Sequence, residues 1–268
     1  MKNEVLQEMI FLNQEISTIL SKLYILEEEA SYYKLKNNHL YKDIKISIKE
    51  QYDSIRKIQL ESMELPYDKT EESLMFYRNM IFSVSDRKSE SETASFNYYT
   101  VIFDKLYSNI APKNFQTENF EFIAENLIEN NFTTIIDLFA VNKDTNYKKP
   151  SFKQRMGDFL KNKEFNLNYT FFEFPADFKE DFRKIEEVVC HIDDLISRNE
   201  KIYLHSENDD TIIGFILCCY LVKNKIVNPK DVFQFVNYLR SLSKYNHEEF
   251  MLSQENIDLI AQFEINIS

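Results

Sequence analysis

Apolar side chains in the first part of the chain recur every third or fourth position, a spacing that predicts helix. The first stripe steps by four and three alternately through Val5, Met9, Leu12, Ile16, Ile19, Leu23, Leu26, Ala30 and Tyr33. A weaker stripe continues through Leu40, Ile44, Ile48, Tyr52, Ile55 and Ile58. Because no Gly or Pro precedes Pro66, residues 3–62 are predicted to form one long helix or a helical hairpin.

The four–three spacing of the first stripe is coiled-coil-like and predicts an interaction surface without a catalytic role. Three partners are open for this surface: the chain's own globular domain, a second copy of the chain, or a helix of another protein. We therefore expect a protein partner to bind through the N-terminal helices, with a homo-oligomer as the alternative.

The chain changes character between these helices and residue 96. Pro66 breaks the helical pattern, which resumes over residues 71–82. Residues 83–95 are serine-rich and charged, which predicts an exposed linker, with phosphorylation as an alternative role. The predicted domains are a helical extension over 1–65, a connector over 66–95 and a globular domain over 96–268.

After residue 96, short apolar runs alternate with helical stretches, which predicts an α/β fold with a central mixed sheet flanked by helices. The predicted strands cover residues 98–103, 106–107, 132–140, 166–174 and 202–204. The predicted helices cover residues 118–127, 178–198, 212–221 and 229–240, followed by one that ends at 263. Residues 132–140 are rich in β-branched side chains, which is typical of a strand buried on both faces.

Composition narrows the classes of function. A net charge of −12 argues against nucleic acid or an anionic membrane as the main partner. The chain has only two glycines, which excludes a glycine-rich nucleotide loop. Its three cysteines lack metal-ligand spacing, so no metal or cofactor is expected and the cysteines favour a reducing intracellular compartment such as the cytoplasm. Acidic residues interrupt any N-terminal signal sequence, and no apolar run is long enough to predict a membrane span.

The stretch over residues 201–222 is the candidate site. It consists of a short apolar strand, a polar loop from His205 to Asp210, and a helix that is apolar on nearly every side. A strand that leads through a tight loop into a buried helix can form an anion cradle from backbone N–H groups and the helix dipole. The order of elements therefore predicts a phosphate site, whereas the loop residues do not suit one.

This segment resembles the signature of the protein tyrosine phosphatase superfamily, which has His-Cys, five residues, Arg, then Ser or Thr and Gly. His205 and Gly214 stand in register, but Ser206 takes the place of the nucleophilic Cys. Ile212 falls on the Arg position and Ile213 on the Ser/Thr position. Shortening the loop by two residues would place Asp210 and Thr211 on those positions instead, and neither alignment supplies a cation.

The chemistry that the resemblance implies is lost at these positions. A serine hydroxyl is much less acidic than the family's thiol, and no other side chain reproduces the bidentate Arg clamp on phosphoryl oxygens. Each acid of the loop would repel a phosphate at about 4 Å by roughly 1–4 kcal/mol. We expect no catalytic residue here, and a vestigial ligand loop that comprises Ser206, Glu207, Asn208, Asp209, Asp210 and Thr211.

Two further segments resemble parts of the family's site. Phe174-Pro175-Ala176-Asp177 lies where the family has its general-acid loop, with Ala176 on the Asp position and Asp177 one residue late. Asp177 is also a good N-cap for the helix that follows. Gln254 is an approximate counterpart of the glutamine that orients the hydrolytic water.

His205 and Ser206 raise an independent enzymatic alternative, a Ser-His-Asp triad. Neighbouring residues at a strand end face opposite sides, so His205 is not expected to reach Ser206 as a base. A structural hydrogen bond from His205 to the loop is the preferred interpretation.

Taken together, the residues and the resemblance over 96–263 predict an inactive phosphatase-like protein that binds or scaffolds other proteins. Two alternatives are an atypical phosphatase on a phosphomonoester and a structural subunit of a larger assembly.

Overall fold

The computed structural model of this protein describes residues 2–34, 36, 38–66, 72–84, 98–102, 104–108, 120–141, 158, 167–175, 182–206, 210–242 and 254–265. The helices of the described residues are α1 (Lys2–Tyr33), α2 (Asn38–Glu64), α3 (Glu72–Phe82), α4 (Phe120–Glu129), α5 (Phe182–Ser197), α6 (Asp210–Lys223), α7 (Val232–Ser241) and α8 (Gln254–Ile265). The strands are β1 (Tyr99–Ile102), β2 (Leu106–Ser108), β3 (Thr134–Val141), β4 (Asn168–Pro175) and β5 (Ile202–Ser206). The predicted mixed α/β fold with a long N-terminal helix is confirmed.

Five strands form one sheet in the order β1-β2-β5-β3-β4. Strand β1 is antiparallel to β2, and the other neighbours are parallel. Parallel strands need both faces covered, which explains why β3 and β5 carry buried apolar side chains on both sides. Helix α4 packs on one face through Ile123, Ala124 and Leu127. Helix α5 covers the other face, where His191 contacts the ring of Phe172.

Three helices end in a left-handed residue that is not glycine. Asn131 after α4, Asn199 after α5 and Lys225 after α6 have φ values of 59°, 64° and 53°. Each end has the paired backbone hydrogen bonds of a Schellman motif, for example Phe132 N–H to Leu127 and Asn131 N–H to Ile128. Asparagine tolerates this conformation better than most residues, so a chain with two glycines can still terminate its helices sharply.

The chain divides into two compact units, one comprising Met1–Asp86, Cys218–Ser241 and Leu252–Ser268, the other Arg87–Leu217 and Leu242–Met251. In the first unit, α1 packs against α2, α3 and α7. In the second unit, α4 and α5 cover the sheet. The predicted domain boundaries at residues 65 and 95 remain a prediction.

Helix α1 packs within its own chain. Its buried apolar side chains are Met9, Leu12, Ile16, Leu20, Leu23 and Ala30. The heptad pattern predicts a buried Ile19, but the structure buries Leu20 instead. The buried stripe therefore follows the 3.6-residue period of a straight helix. The stripe that was open to three partners is thus occupied by the chain itself, and a coiled coil stays a prediction.

A polar stripe on α1 strengthens this packing. Asn13 Nδ2 donates to the carbonyl of Ile226 at 2.9 Å, and Ser17 Oγ donates to the same oxygen at 3.0 Å. Thr18 Oγ1 donates to the Asp231 carboxylate at 2.7 Å, and Ser21 Oγ donates to the Asp231 carbonyl at 3.1 Å. These contacts fix the register of α1 against the segment between α6 and α7, because buried polar groups need such partners.

Aromatic rings fill the sheet face below α4. Tyr98, Tyr107, Phe132 and Tyr203 meet in edge-to-face pairs with centroid distances of 5.0–5.9 Å for Tyr98–Tyr107, Tyr107–Phe132 and Phe132–Tyr203. The Lys201 ammonium lies 4.8 Å from the Tyr107 centroid, so it adds a cation–π contact at the edge. No helix in the described part of the chain is both long enough and apolar enough to cross a membrane.

The cysteines give a testable consequence of this packing. Cys190 is exposed, whereas Cys218 and Cys219 are buried, and burial raises the pKa of both buried thiols. Because the thiolate is the reactive form, we expect Ellman's reagent to label one thiol in the native protein and all three in denaturant. Cys190→Ser should abolish the native reaction, and native labelling of three thiols would contradict the burial.

Candidate functional site

The carboxyl ends of the four parallel strands lie at one edge of the sheet. Their last residues are Ser108 of β2, Ser206 of β5, Val141 of β3 and Pro175 of β4. Strand β5 lies between β2 and β3, although it comes last in the chain. In open α/β sheets, ligands bind outside the carboxyl ends where the strand order reverses. The candidate site therefore lies where β5 leads into α6.

The predicted strand–loop–helix order is present, with a shorter loop. Strand β5 extends through His205 and Ser206, which the sequence placed in the loop, and α6 begins at Asp210. The extension follows from pairing, because His205 and Ser206 are register partners of Asp137 and Leu138 on β3. Glu207, Asn208 and Asp209 lie outside the described residues.

Ser206, at the position of the nucleophile, is fully buried at 0% exposure. Strand alternation places it on the same face as Ile202 and Leu204, the face covered by α5. A nucleophile must contact its substrate, and the side chain of Ser206 is fully buried.

His205 lies on the opposite face, toward α4, and is also fully buried. Its ring stacks on Tyr203 with centroids 5.9 Å apart and an interplanar angle of 12°. The two neighbours Ser206 and His205 thus face different layers of the domain, an arrangement that does not make a base–nucleophile pair.

A buried carboxylate beside His205 was missed by the sequence analysis. Asp137, 2% exposed, is the register partner of His205 in the β3–β5 ladder. Tyr169 Oη donates to Asp137 Oδ2 at 2.5 Å, which gives the carboxylate a short hydrogen bond. The available indication was a single acid inside an otherwise apolar strand, since a buried acid needs partners.

The first turns of α6 carry the other counterparts. Ile212, on the Arg position, is 0% exposed, and Ile213 and Gly214 are buried too. Thr211 is half-buried. The residue that the first of the two alignments places on the family's Arg position is thus buried, where a guanidinium would lose its hydration.

The remaining predicted residues are only partly placed. Phe174 is buried and Pro175 ends β4, while Ala176 and Asp177 lie outside the described residues. Gln254 is the first residue of α8.

His191 lies on α5, and its pKa is lower than the ordinary value for histidine. Burial lowers its pKa, and the opposing attraction of Asp194 is smaller. His191 is therefore mainly neutral at pH 7. Its ring serves as a packing partner of Phe172, with centroids 5.7 Å apart.

No family model and no curated protein matches the chain. Among solved structures, a mutant form of Tk-PTP is similar with a TM-score of 0.42 and 12% identity, covering 64% of this chain and 96% of that chain. Tk-PTP in the active form gives a TM-score of 0.40 and 12% identity, with coverages of 61% and 93%. PTPMT1 in complex with PI(5)P gives a TM-score of 0.42 and 10% identity, with coverages of 61% and 92%. Similarities of this size do not assign the chain to a family.

Proposed function

We propose that the chain is a catalytically inactive protein with a tyrosine-phosphatase-like domain, which binds or scaffolds other proteins. The observation that carries this proposal is the full burial of Ile212 in the first turn of α6, because the resemblance places this residue, or Asp210 in the shorter register, on the family's Arg position. Phosphoryl transfer depends on stabilising negative charge in the transition state, and an apolar buried side chain cannot do so.

The nucleophile position supports the same proposal. Ser206 is buried on the α5 face, and His205 lies on the other face. Serine requires an adjacent general base to act as a nucleophile. The strand that holds both residues keeps them apart, so the base would have to come from elsewhere.

The proposal has a cellular corollary. The three cysteines are free, and Cys218 and Cys219 are neighbours in a buried helix without a disulfide. Free buried thiols persist in reducing compartments, so we propose an intracellular setting for the binding function.

The test measures turnover and ligand binding on the full chain. We expect the full chain to hydrolyse an aryl phosphate no faster than its Ser206→Ala variant, because we propose that Ser206 does not act as a nucleophile. Calorimetry and thermal shift with phosphate, vanadate and a phosphotyrosine peptide should show no saturable binding.

Each contrary outcome changes the proposal in a defined way. Turnover that is lost in Ser206→Ala would establish an atypical phosphatase and overturn the proposal. Saturable binding of the phosphotyrosine peptide without turnover would retain the inactive protein but make it a reader of phosphorylated ligands.

A further inference from the structure

Helix α2 has a second face that is largely exposed in the described part of the chain, where Tyr52 Oη donates to Glu27 Oε1 of α1 at 3.5 Å. Its inner face packs in the helical unit through Ile44, Ile55, Ile58 and Ser62. Beside this inner face, exposed residues recur at steps of three and four, and we call them the outer stripe: Lys42, Lys45, Lys49, Tyr52, Arg56, Leu60 and Met63. The stripe runs for about 32 Å along the helix, or about six turns.

The outer stripe combines positive charge with exposed apolar surface. Four of its residues are cations and none is an acid, although the chain has a net charge of −12. Leu60 and Met63 are 57% and 56% exposed, and the adjoining Ile46 is 58% exposed. Single exposed apolar residues are ordinary, but this alignment along one helix face is typical of an interaction surface.

The cations of the outer stripe make few contacts with other side chains of the described residues. Within the described residues, Lys42, Lys49 and Arg56 form no ion pair, whereas Lys57, off the stripe, pairs with Glu61 at 3.5 Å. Lys45 lies only 5.7 Å from the Tyr41 ring centroid. Of the acids on α2, Asp53 and Glu64 border the stripe, while Asp43, Glu50 and Glu61 lie elsewhere on the helix surface. Glu27 of α1 accepts a hydrogen bond from Tyr52 of the stripe. The charge of the stripe is therefore available to a partner.

We propose that the outer stripe of α2 is the docking surface for an acidic amphipathic helix of another protein. This inference rests on the proposed binding function and names the surface that performs it, since α1 is already occupied within the chain. Steps of three and four match the seam of a helix–helix interface, with Leu60, Met63 and Ile46 as apolar contacts. Glutamates or aspartates beside the partner's seam would pair with the lysines and Arg56.

An anionic bilayer is the other acidic surface that this chemistry suggests, and the pattern favours the protein helix. Helices that lie in a membrane interface separate a broad apolar face from a charged face. On the outer stripe the cations come first, over residues 42–56, and the last two positions are apolar. The net charge of −12 also opposes approach to an anionic membrane.

The test uses two synthetic peptides of about four heptads with leucine at the seam positions. One peptide carries glutamate beside the seam, and the other carries lysine. Fluorescence anisotropy with the full chain should show binding of the glutamate peptide about tenfold or more tighter than the lysine peptide, with the difference reduced by salt.

A charge-matched pair of variants locates the site. Lys49→Glu/Arg56→Glu should weaken binding of the glutamate peptide about tenfold or more, because like charges then face each other. Lys22→Glu/Lys230→Glu makes the same change in net charge at exposed positions off α2 and should leave binding unchanged. Leu60→Ser should weaken the binding of both peptides.

Several outcomes would overturn the assignment. Equal binding of both peptides, or equal loss in both double variants, would remove the outer stripe as an acidic-helix site. Binding to phosphatidylserine–phosphatidylcholine vesicles that is lost in Lys49→Glu/Arg56→Glu, with no peptide preference, would assign the stripe to a membrane. A dimer in sedimentation that dissociates in that variant would assign it to a second copy. None of these outcomes depends on aryl-phosphate turnover, which tests the proposed function separately.

Discussion

Removal of residues 1–64 is expected to abolish cooperative unfolding of the part of the first compact unit that remains. Five large apolar side chains of α1, namely Met9, Leu12, Ile16, Leu20 and Leu23, are at most 4% exposed. Burying such a side chain stabilises a fold by about 1.5–3 kcal/mol. Together they contribute an amount comparable to the whole stability of a domain, which is about 5–15 kcal/mol.

The deletion also removes hydrogen bonds that the rest of the helical unit needs. The Ile226 carbonyl would lose both Asn13 and Ser17, and the Asp231 carboxylate would lose Thr18. In circular dichroism and urea titration of residues 65–268, the helices that remain of the first unit should therefore give no cooperative transition. Ile16→Ala in the full chain should lower the free energy of unfolding by about 2–5 kcal/mol.

The control changes apolar residues of the same helix that are not packed. Phe11 and Ile25 are 53% and 47% exposed, so Phe11→Ser/Ile25→Ser should retain the transition. A truncated chain in which the remaining helices of the first unit still unfold cooperatively would contradict this prediction. It would support the boundary near residue 65 that the sequence predicts, with the helices as a separable extension.

The order of elements could be predicted from periodicity, because each strand and helix buries an apolar face. Helix α5 is an example, since Ile185, Val188, Val189, Ile192 and Leu195 lie on its buried side at helical spacing. The hairpin of α1 and α2 was one of two predicted alternatives. Its turn contains neither Gly nor Pro, so the residues gave no local reason to prefer a hairpin.

Polar positions were harder to predict, because their partners are distant in sequence. Asn13 and Ser17 look like gaps in the apolar stripe, yet they bind a carbonyl more than 200 residues away. Asp137 and Tyr169 meet only because β3 and β4 pair in parallel. His205 and Ser206 suggested a loop, but backbone pairing with β3 continues regardless of side-chain polarity.

At the candidate site too, the sequence predicted only part of what the structure shows. The sequence placed Ile212 on the position of a phosphate-binding cation, and the structure adds that this position is fully buried. A change from arginine to isoleucine on a surface loop would remove a ligand contact only. A change at a buried position also makes the residue part of the core, and this difference can be measured.

We expect Ile212→Arg to lower the free energy of unfolding by about 3–5 kcal/mol, because it leaves an uncompensated charge in the interior. Urea denaturation followed by circular dichroism measures this loss as a lower midpoint. Thr211→Arg is the matched control, since Thr211 is the half-buried neighbour on the same turn and its arginine can reach water. The control should change stability by about 1 kcal/mol or less.

The result also distinguishes between two environments of position 212, one buried in the core and one that can open to solvent. A large loss for Ile212→Arg would mean that this position is part of the core, so that an arginine placed there alone cannot form a phosphate site. A tolerated arginine, with stability equal to that of Thr211→Arg, would mean that the position can open to solvent. Phosphate binding by that variant would then contradict the proposal that the end of β5 no longer holds an anion.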